Sequence, residues 1–270
     1  MKVFASTGCI VGGFWEKLAL YRDAGLREIE IGTTTEALGD DVVERLRRYD
    51  VRYVVHNYFP PPAEAFVLNL ASPDEGVRAR SLRLVDDALV TAAQLGSPLY
   101  SVHAGFVSDP VGSDGRSYVF GPGGDAEAAK ARFVASLEWA LARGVELGVE
   151  LIVENNVCTP ATRGALLLQT PREFEELGDF GILLDTGHLN VSATTLLFDR
   201  AEFVDRLAHR IRAFHLHDND GSADRHEPVA EDSWALAAVR ETQAETIVVE
   251  ALFANVEALR DHVEQVRSWL

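Results

Sequence analysis

Eight short apolar runs recur along this chain, each followed by a stretch with helical spacing. That alternation limits the available folds more than any other feature of the sequence. The runs are Lys2–Ser6, Glu28–Ile31, Arg52–His56, Leu99–His103, Glu150–Glu154, Gly181–Asp185, Ile211–His217 and Thr246–Glu250. They are rich in Val, Ile and Leu, as strands are when both faces are covered. Between them, Val77–Leu95 sets Leu82, Val85, Leu89 and Ala93 at three-to-four spacing, the stripe of an amphipathic helix. Ala126–Leu147 does likewise, and Val256–Leu270 closes the chain. Eight strand–helix units in 270 residues predict an α/β fold, a single (β/α)8 TIM barrel spanning residues 1–270. The competing arrangement is a doubly wound open sheet. No Gly-x-Gly-x-x-Gly follows the first run, and no phosphate-binding Gly-x-x-x-x-Gly-Lys-Ser/Thr occurs.

Composition narrows the partners. A formal net charge of −17 repels nucleic acid and anionic membranes at long range, so neither is expected as a partner. The two cysteines, Cys9 and Cys158, form no disulfide framework and no zinc-finger spacing. No stretch approaches the ~20 apolar residues of a membrane span, and the first residues lack the apolar core of a signal peptide. A cytoplasmic enzyme acting on a small molecule is the expectation.

The chemistry gathers where the runs end. His56 and His103 close the third and fourth, and Glu154 and Asp185 close the fifth and sixth, with His188 just beyond. His215, His217 and Asp218 stand at the seventh and Glu250 at the eighth, and Asp224-Arg225-His226 follows in the loop after the seventh. In a barrel, those ends converge on one bowl. A buried carboxylate or imidazole is costly unless paired or ligating, so a ring of them calls for a cation. Nitrogen and oxygen donors without cysteine suit Zn, Mn, Co or Fe, and spacing alone does not choose among them; Zn or Mn is the expectation.

These strand-end residues resemble those of the xylose isomerase-like barrels, over essentially the whole chain. That superfamily holds sugar isomerases and epimerases and the endonuclease IV-type apurinic/apyrimidinic endonucleases. In the isomerase and epimerase branch, one metal is held by Glu, Asp, His and Glu. The matching positions are Glu154, Asp185, His215 and Glu250. The resemblance implies that Glu154 and Glu250 are catalytic, moving a proton beside a carbonyl, and that His188 contacts substrate. Asp185-Thr186-Gly187-His188-Leu189-Asn190 is similar to the Asp-Thr-x-His-x-Asn of ketose epimerases. The endonuclease branch binds three zinc ions with nine ligands, and the resemblance there implies His56, His103, Glu154, Asp185, His188, His215, Asp224, His226 and Glu250. Across the two branches, the resemblance implies one to three ions per chain. Relatives are often dimers or tetramers, so a homo-oligomer is compatible.

Some positions depart from those patterns. Asn155 and Asn156 stand where ketose epimerases often carry a second Glu, His217-Asp218 differs from the endonucleases, and Val229-Ala230-Glu231-Asp232 replaces a Gly-x-Gly. The scattered Arg116, Arg163 and Arg225 make no track for a nucleic-acid backbone. Two stretches are expected as rim loops: Tyr58-Phe59-Pro60-Pro61-Pro62 and the glycine-rich residues 109–125. Tyr58, Phe59 and Phe106 are expected to wall the pocket and Arg225 to reach substrate. Glu30, between Ile29 and Ile31, is expected either to lie inside the barrel near the site or to pair structurally with an arginine, the structural role being slightly favoured. The leading expectation is a metal-dependent isomerase or epimerase of a sugar, sugar phosphate or polyol. The alternatives are an endonuclease IV-like phosphoesterase and a barrel that binds a metal or sugar without turnover.

Overall fold

The structure, a computed structural model, describes residues 1–113, 118–121 and 123–270. Arg116 and the tip of the 109–125 loop lie outside the described residues.

The elements in chain order are β1 (Lys2–Ser6), α1 (Phe14–Asp23), β2 (Glu28–Ile31), α2 (Val42–Arg47), β3 (Arg52–His56), α3 (Glu75–Leu95), β4 (Leu99–His103), β5 (Pro110–Ser113) and β6 (Tyr118–Phe120). There follow α4 (Ala126–Leu147), β7 (Glu150–Glu154), α5 (Pro171–Glu176), β8 (Gly181–Asp185), α6 (Thr186–Leu196), α7 (Arg200–Leu207), β9 (Ile211–Leu216), α8 (Trp234–Arg240), β10 (Thr246–Val249) and α9 (Val256–Trp269). Strands β1, β2, β3, β4, β7, β8, β9 and β10 pair in parallel, and β1 meets β10 to close the barrel. The fold is a single (β/α)8 barrel, and the open-sheet alternative is excluded.

Sequence chemistry explains the long helices. Asp74 and Asp125 cap α3 and α4 by accepting the backbone N–H of Val77 and Ala128. Both helices end on glycines, Gly96 and Gly148, at φ of 69° and 70°. That left-handed conformation costs other residues a steric clash. No helix among the described residues is long and apolar enough to cross a membrane.

Alternation along each strand builds two cores. Outward residues such as Val3, Val55, Tyr100, Val153, Leu184 and Phe214 pack under the helices. Inward residues Phe4, Val54, Leu99, Ile152, Leu183, Ala213 and Val248 form a separate apolar plug, one from each of seven strands. Successive side chains point to opposite faces, so the next inward residue lies two positions on. Those residues are Ser6, His56, Ser101, Glu154, Asp185, His215 and Glu250. The plug is therefore the floor of a polar bowl.

Three expectations need correction. Strand β9 stops at Leu216 and β10 at Val249, so His217 and Glu250 stand on the loops just beyond. The 109–125 stretch carries an antiparallel hairpin, β5 with β6. Phe59 does not wall the pocket: it is fully buried and stacks on Phe14, ring centres 5.4 Å apart.

Candidate metal centre

The nine residues expected as ligands all reach this bowl, in groups whose ligand atoms lie within 4.8 Å of one another. His56, His103 and Glu154 form one group. His103 Nε2 and His56 Nε2 lie 3.3 and 3.5 Å from Glu154 Oε2. A second set surrounds His215 Nδ1, with Glu250 Oε2 at 2.9 Å and both Glu154 Oε1 and Asp185 Oδ2 at 3.7 Å. A third centres on Asp224 Oδ2, with His226 Nε2 at 3.2 Å and His188 Nε2 at 3.3 Å. Glu154 belongs to the first two sets.

Local structure aims each group. Asp185 ends β8 and directly caps α6, accepting the backbone N–H of His188 through Oδ1 at 2.7 Å. This explains the Asp-x-x-His spacing: one carboxylate starts the helix and turns its third residue into the bowl. Asn155 clamps the end of β8, accepting from Asp185 N at 2.8 Å and donating to Asp185 O at 3.0 Å. Asn156 donates to the carbonyls of Gly105 and Leu167. The two asparagines therefore hold backbone at this rim.

The imidazoles follow one scheme. His188 Nδ1 donates to the Asn155 carbonyl and His226 Nδ1 to the Glu250 carbonyl, each at 3.0 Å. A carbonyl only accepts, so both tautomers are set and both Nε2 atoms face Asp224. His56 Nδ1 meets Ser101 Oγ at 2.9 Å. His215 Nε2 donates to Glu30 Oε2 at 2.8 Å, leaving Nδ1 toward the carboxylates. One nitrogen anchored behind and one presented forward is how ligating histidines are oriented. Glu30 thus sits inside the barrel and pairs with His215, not with an arginine.

The donor set fits divalent cations. Four ligands at about 2.1 Å in a tetrahedron lie ~3.4 Å apart, close to the separations above. Among the described residues, the buried atoms Glu154 Oε2, His215 Nδ1, His217 Nδ1 and Asp224 Oδ1 make no hydrogen bond. His215 Nδ1 approaches Glu250 without hydrogen-bond alignment. Orphaned buried atoms that converge in this way are expensive unless a cation joins them. Electrostatics agree. Burial opposes charge on His188 and His215, but carboxylates overcome it: Asp185 and Asp224 at the first, Glu250 and Glu30 at the second. Both imidazoles are held well above their usual range. Burial likewise opposes charge on His226, and Asp224 raises it to about 9. Burial would raise Glu154 and Asp185, yet the surrounding imidazoles hold both well below the carboxylate range.

His217 stands at its strand end in the sequence but is not among the expected ligands. It is fully buried, its Nε2 lies 3.0 Å from Asp185, and its ring stacks on His226 at 4.1 Å. Gly187 makes room for it, since a Cβ there would sit 1.9 Å from the His217 ring. The pairing of a glycine inside Asp-Thr-Gly-His with an extra histidine was the available signal. Of the residues expected to touch substrate, Tyr58 and Phe106 line a cavity beside the bowl and His188 lines both. Arg225 is half-exposed, bound to Asp220 and Ser222, and lines neither.

Comparison with known proteins matches residues 18–269 to a family model described as xylose isomerase-like TIM barrel. A D-tagatose 3-epimerase-like protein has a similar structure (TM-score 0.74, 22% identity, 99% of each chain covered). So does the TTHB071 protein of Thermus thermophilus, from a crystal soaked with ZnCl2 (TM-score 0.69, 24% identity, 99% of this chain and 98% of that one). Endonuclease IV of Thermus thermophilus is also similar (TM-score 0.61, 17% identity, 100% and 98% covered). At these identities, the structural likenesses are of fold.

Proposed function

The chain belongs to the xylose isomerase-like TIM barrel family, and from that premise we propose that it is a metal-dependent hydrolase of small phosphoesters, with two or three divalent ions held in the bowl. The observation that carries this reading is the number of donor sets. A proton-transfer epimerase uses one ion, and Glu154, Asp185, His215 and Glu250 suffice for it. Here His56 with His103 and Glu154, and His217 with Asp224 and His226, add two further sets around the same space, and His188 Nε2 also lies 3.3 Å from Asp224 Oδ2.

The three sets have defined residues: His56, His103 and Glu154; Glu154, Asp185, His215 and Glu250; His217, Asp224 and His226, with His188 beside Asp224. When bound there, the ions supply Lewis-acid charge for phosphoryl oxygens and make a water more acidic. The residues do the positioning. Glu154 reaches the first two sets with separate oxygens, Oε2 and Oε1, and so fixes their spacing. Glu30 orients His215, and the Glu250 carbonyl orients His226. Glu250, 20% exposed at its side chain and lining the bowl, is the carboxylate placed to take a proton from water. No lysine or arginine lines the bowl or the cavity beside it among the described residues, which favours a small substrate over a polynucleotide.

Metal analysis of protein purified without chelator tests the reading. Two or three ions per chain are expected, falling by at least one in Asp224→Ala. One ion per chain, unchanged by Asp224→Ala, overturns it.

The second reading is an epimerase or isomerase of a sugar-like substrate. It is favoured by the Asp185–Asn190 segment and by Glu154 and Glu250 converging on the same nitrogen of His215. Deuterium incorporation from solvent into ketoses, lost in Glu250→Gln, separates it from hydrolysis.

A further inference from the structure

The bowl opens sideways into a second cavity of different chemistry. The bowl is a polar space of about 270 Å³, and its neighbour measures about 560 Å³. Thr33, Asn57, His103 and His188 line both, so the two share a wall and a ligand placed at the imidazoles extends into the larger space.

That larger chamber is walled by aromatic and aliphatic groups. Phe106 is met by Phe120 and Tyr118 of the β5–β6 hairpin at 5.2 and 5.6 Å between ring centres, and Leu68 and Leu166 complete the surface. Three of its polar members are bonded back into the protein, while Asn57 Oδ1 and His103 Nδ1, on the wall shared with the bowl, make no hydrogen bond among the described residues. The Tyr58 hydroxyl accepts the Leu68 backbone N–H, Asn156 is spent on two carbonyls, and Thr162 is tied to Thr159. A polyol placed there would bury hydroxyls against apolar carbon at a cost of about 1–3 kcal/mol each. A second phosphate would find no cationic side chain among the described lining residues.

We infer that the substrate is a phosphoester with an uncharged aryl or extended alkyl leaving group, the phosphoryl end in the bowl and the apolar group in the chamber under the β5–β6 hairpin. The inference rests on the hydrolase reading above. In the reaction, the oxygen of water bonds to phosphorus and the bond from phosphorus to the leaving oxygen breaks. One proton of the water stays with the phosphate, and the other ends on the leaving phenol or alcohol. Phe106, Phe120 and Tyr118 act as specificity determinants.

The test has a binding arm and a turnover arm. In the first, chelator-treated protein is titrated with 2-naphthol and with glycerol, and bound ligand is read by saturation-transfer NMR. Binding of 2-naphthol and not glycerol is expected. In the second, the metal-loaded protein is assayed on 2-naphthyl phosphate, phenyl phosphate and glycerol phosphate. 2-Naphthol and phenol have nearly equal acidity, so their ratio reports contact and not leaving ability. A kcat/KM about tenfold higher for the naphthyl ester is expected from the extra ring. Phe120→Ser and Tyr118→Ser, both on the partly exposed hairpin, should lower that ratio severalfold and weaken 2-naphthol binding. Hydrolysis of all three esters at equal kcat/KM without 2-naphthol binding overturns the inference and leaves the hydrolase reading intact. Binding of 2-naphthol with no ester cleaved overturns the hydrolase reading, and the inference with it.

Discussion

The floor of the barrel and the bowl above it are made by the same strands, two residues apart. On β7 the floor residue is Ile152 and the bowl residue Glu154; on β8 they are Leu183 and Asp185; on β9, Ala213 and His215. All six are essentially inaccessible to water. The floor needs no partner beyond close packing. In the bowl, every charge is opposed by another or left with an atom unmatched. Burial alone therefore does not set residue type here. One more inward step along the strand crosses from a layer that excludes charge to one that gathers it.

The sharpest way to break this comparison is to move a carboxylate one layer down. Ile152→Asp should cost more than ~4 kcal/mol, because a lone buried charge has no imidazole near it. Glu154→Gln, on the same strand, should leave the metal-free fold intact while hydrolysis drops by on the order of 10³-fold. Urea unfolding of both variants, beside the turnover of the second, checks the pair. Equal loss of stability would erase the distinction between the layers.

A smaller effect is expected one step behind the ligands. Glu30 touches His215 from the back. Glu30→Gln should weaken metal binding ~10–100-fold with the fold retained, as loss of an orienting partner does elsewhere. Chelator competition measures this, and an unchanged affinity would reduce Glu30 to a packing residue.

The last effect is a pH dependence. His226 titrates near 9 in the folded metal-free chain, above its ordinary value of 6.5. A raised imidazole stabilises the folded state fully below the unfolded value, and that stability is lost as pH rises through the folded one. The stability difference between the unaltered protein and His226→Gln, both metal-free, should therefore be largest near pH 6 and vanish above about 9. Thermal melts across that range report it, and a gap that widens with pH would contradict the assignment. Metal uptake must displace the same proton, so affinity should rise over that interval.

Much of this was legible in the residues. The eight apolar runs specified the barrel because strands covered on both faces leave no alternation to misread. The strand-end histidines and carboxylates were visible because their types do not belong beside Val and Ile. What escaped notice depended on side-chain direction across the barrel. Glu30 between two isoleucines is open to an inward or a structural reading, and only the closed sheet decides it, by turning the side chain toward His215, 185 positions away. Phe59 beside Tyr58 looks like a rim aromatic, yet adjacent side chains diverge, and one went to Phe14 while the other met the cavity. The hairpin in residues 109–125 was hidden because glycine and proline advertise a loop, while Tyr118, Val119 and Phe120 are too few to read as a strand.

Asp185 answers to two demands with one carboxylate: Oδ1 starts helix α6, and Oδ2 faces the imidazoles of His188 and His215. In a descendant that had abandoned the chemistry, only the first demand would persist. Asparagine keeps the oxygen that caps the helix and gives up the charge. Drift at this position should therefore run to asparagine and not to alanine, so that a retired copy of this barrel would still carry, in a neutral side chain, the imprint of the charge it had given up.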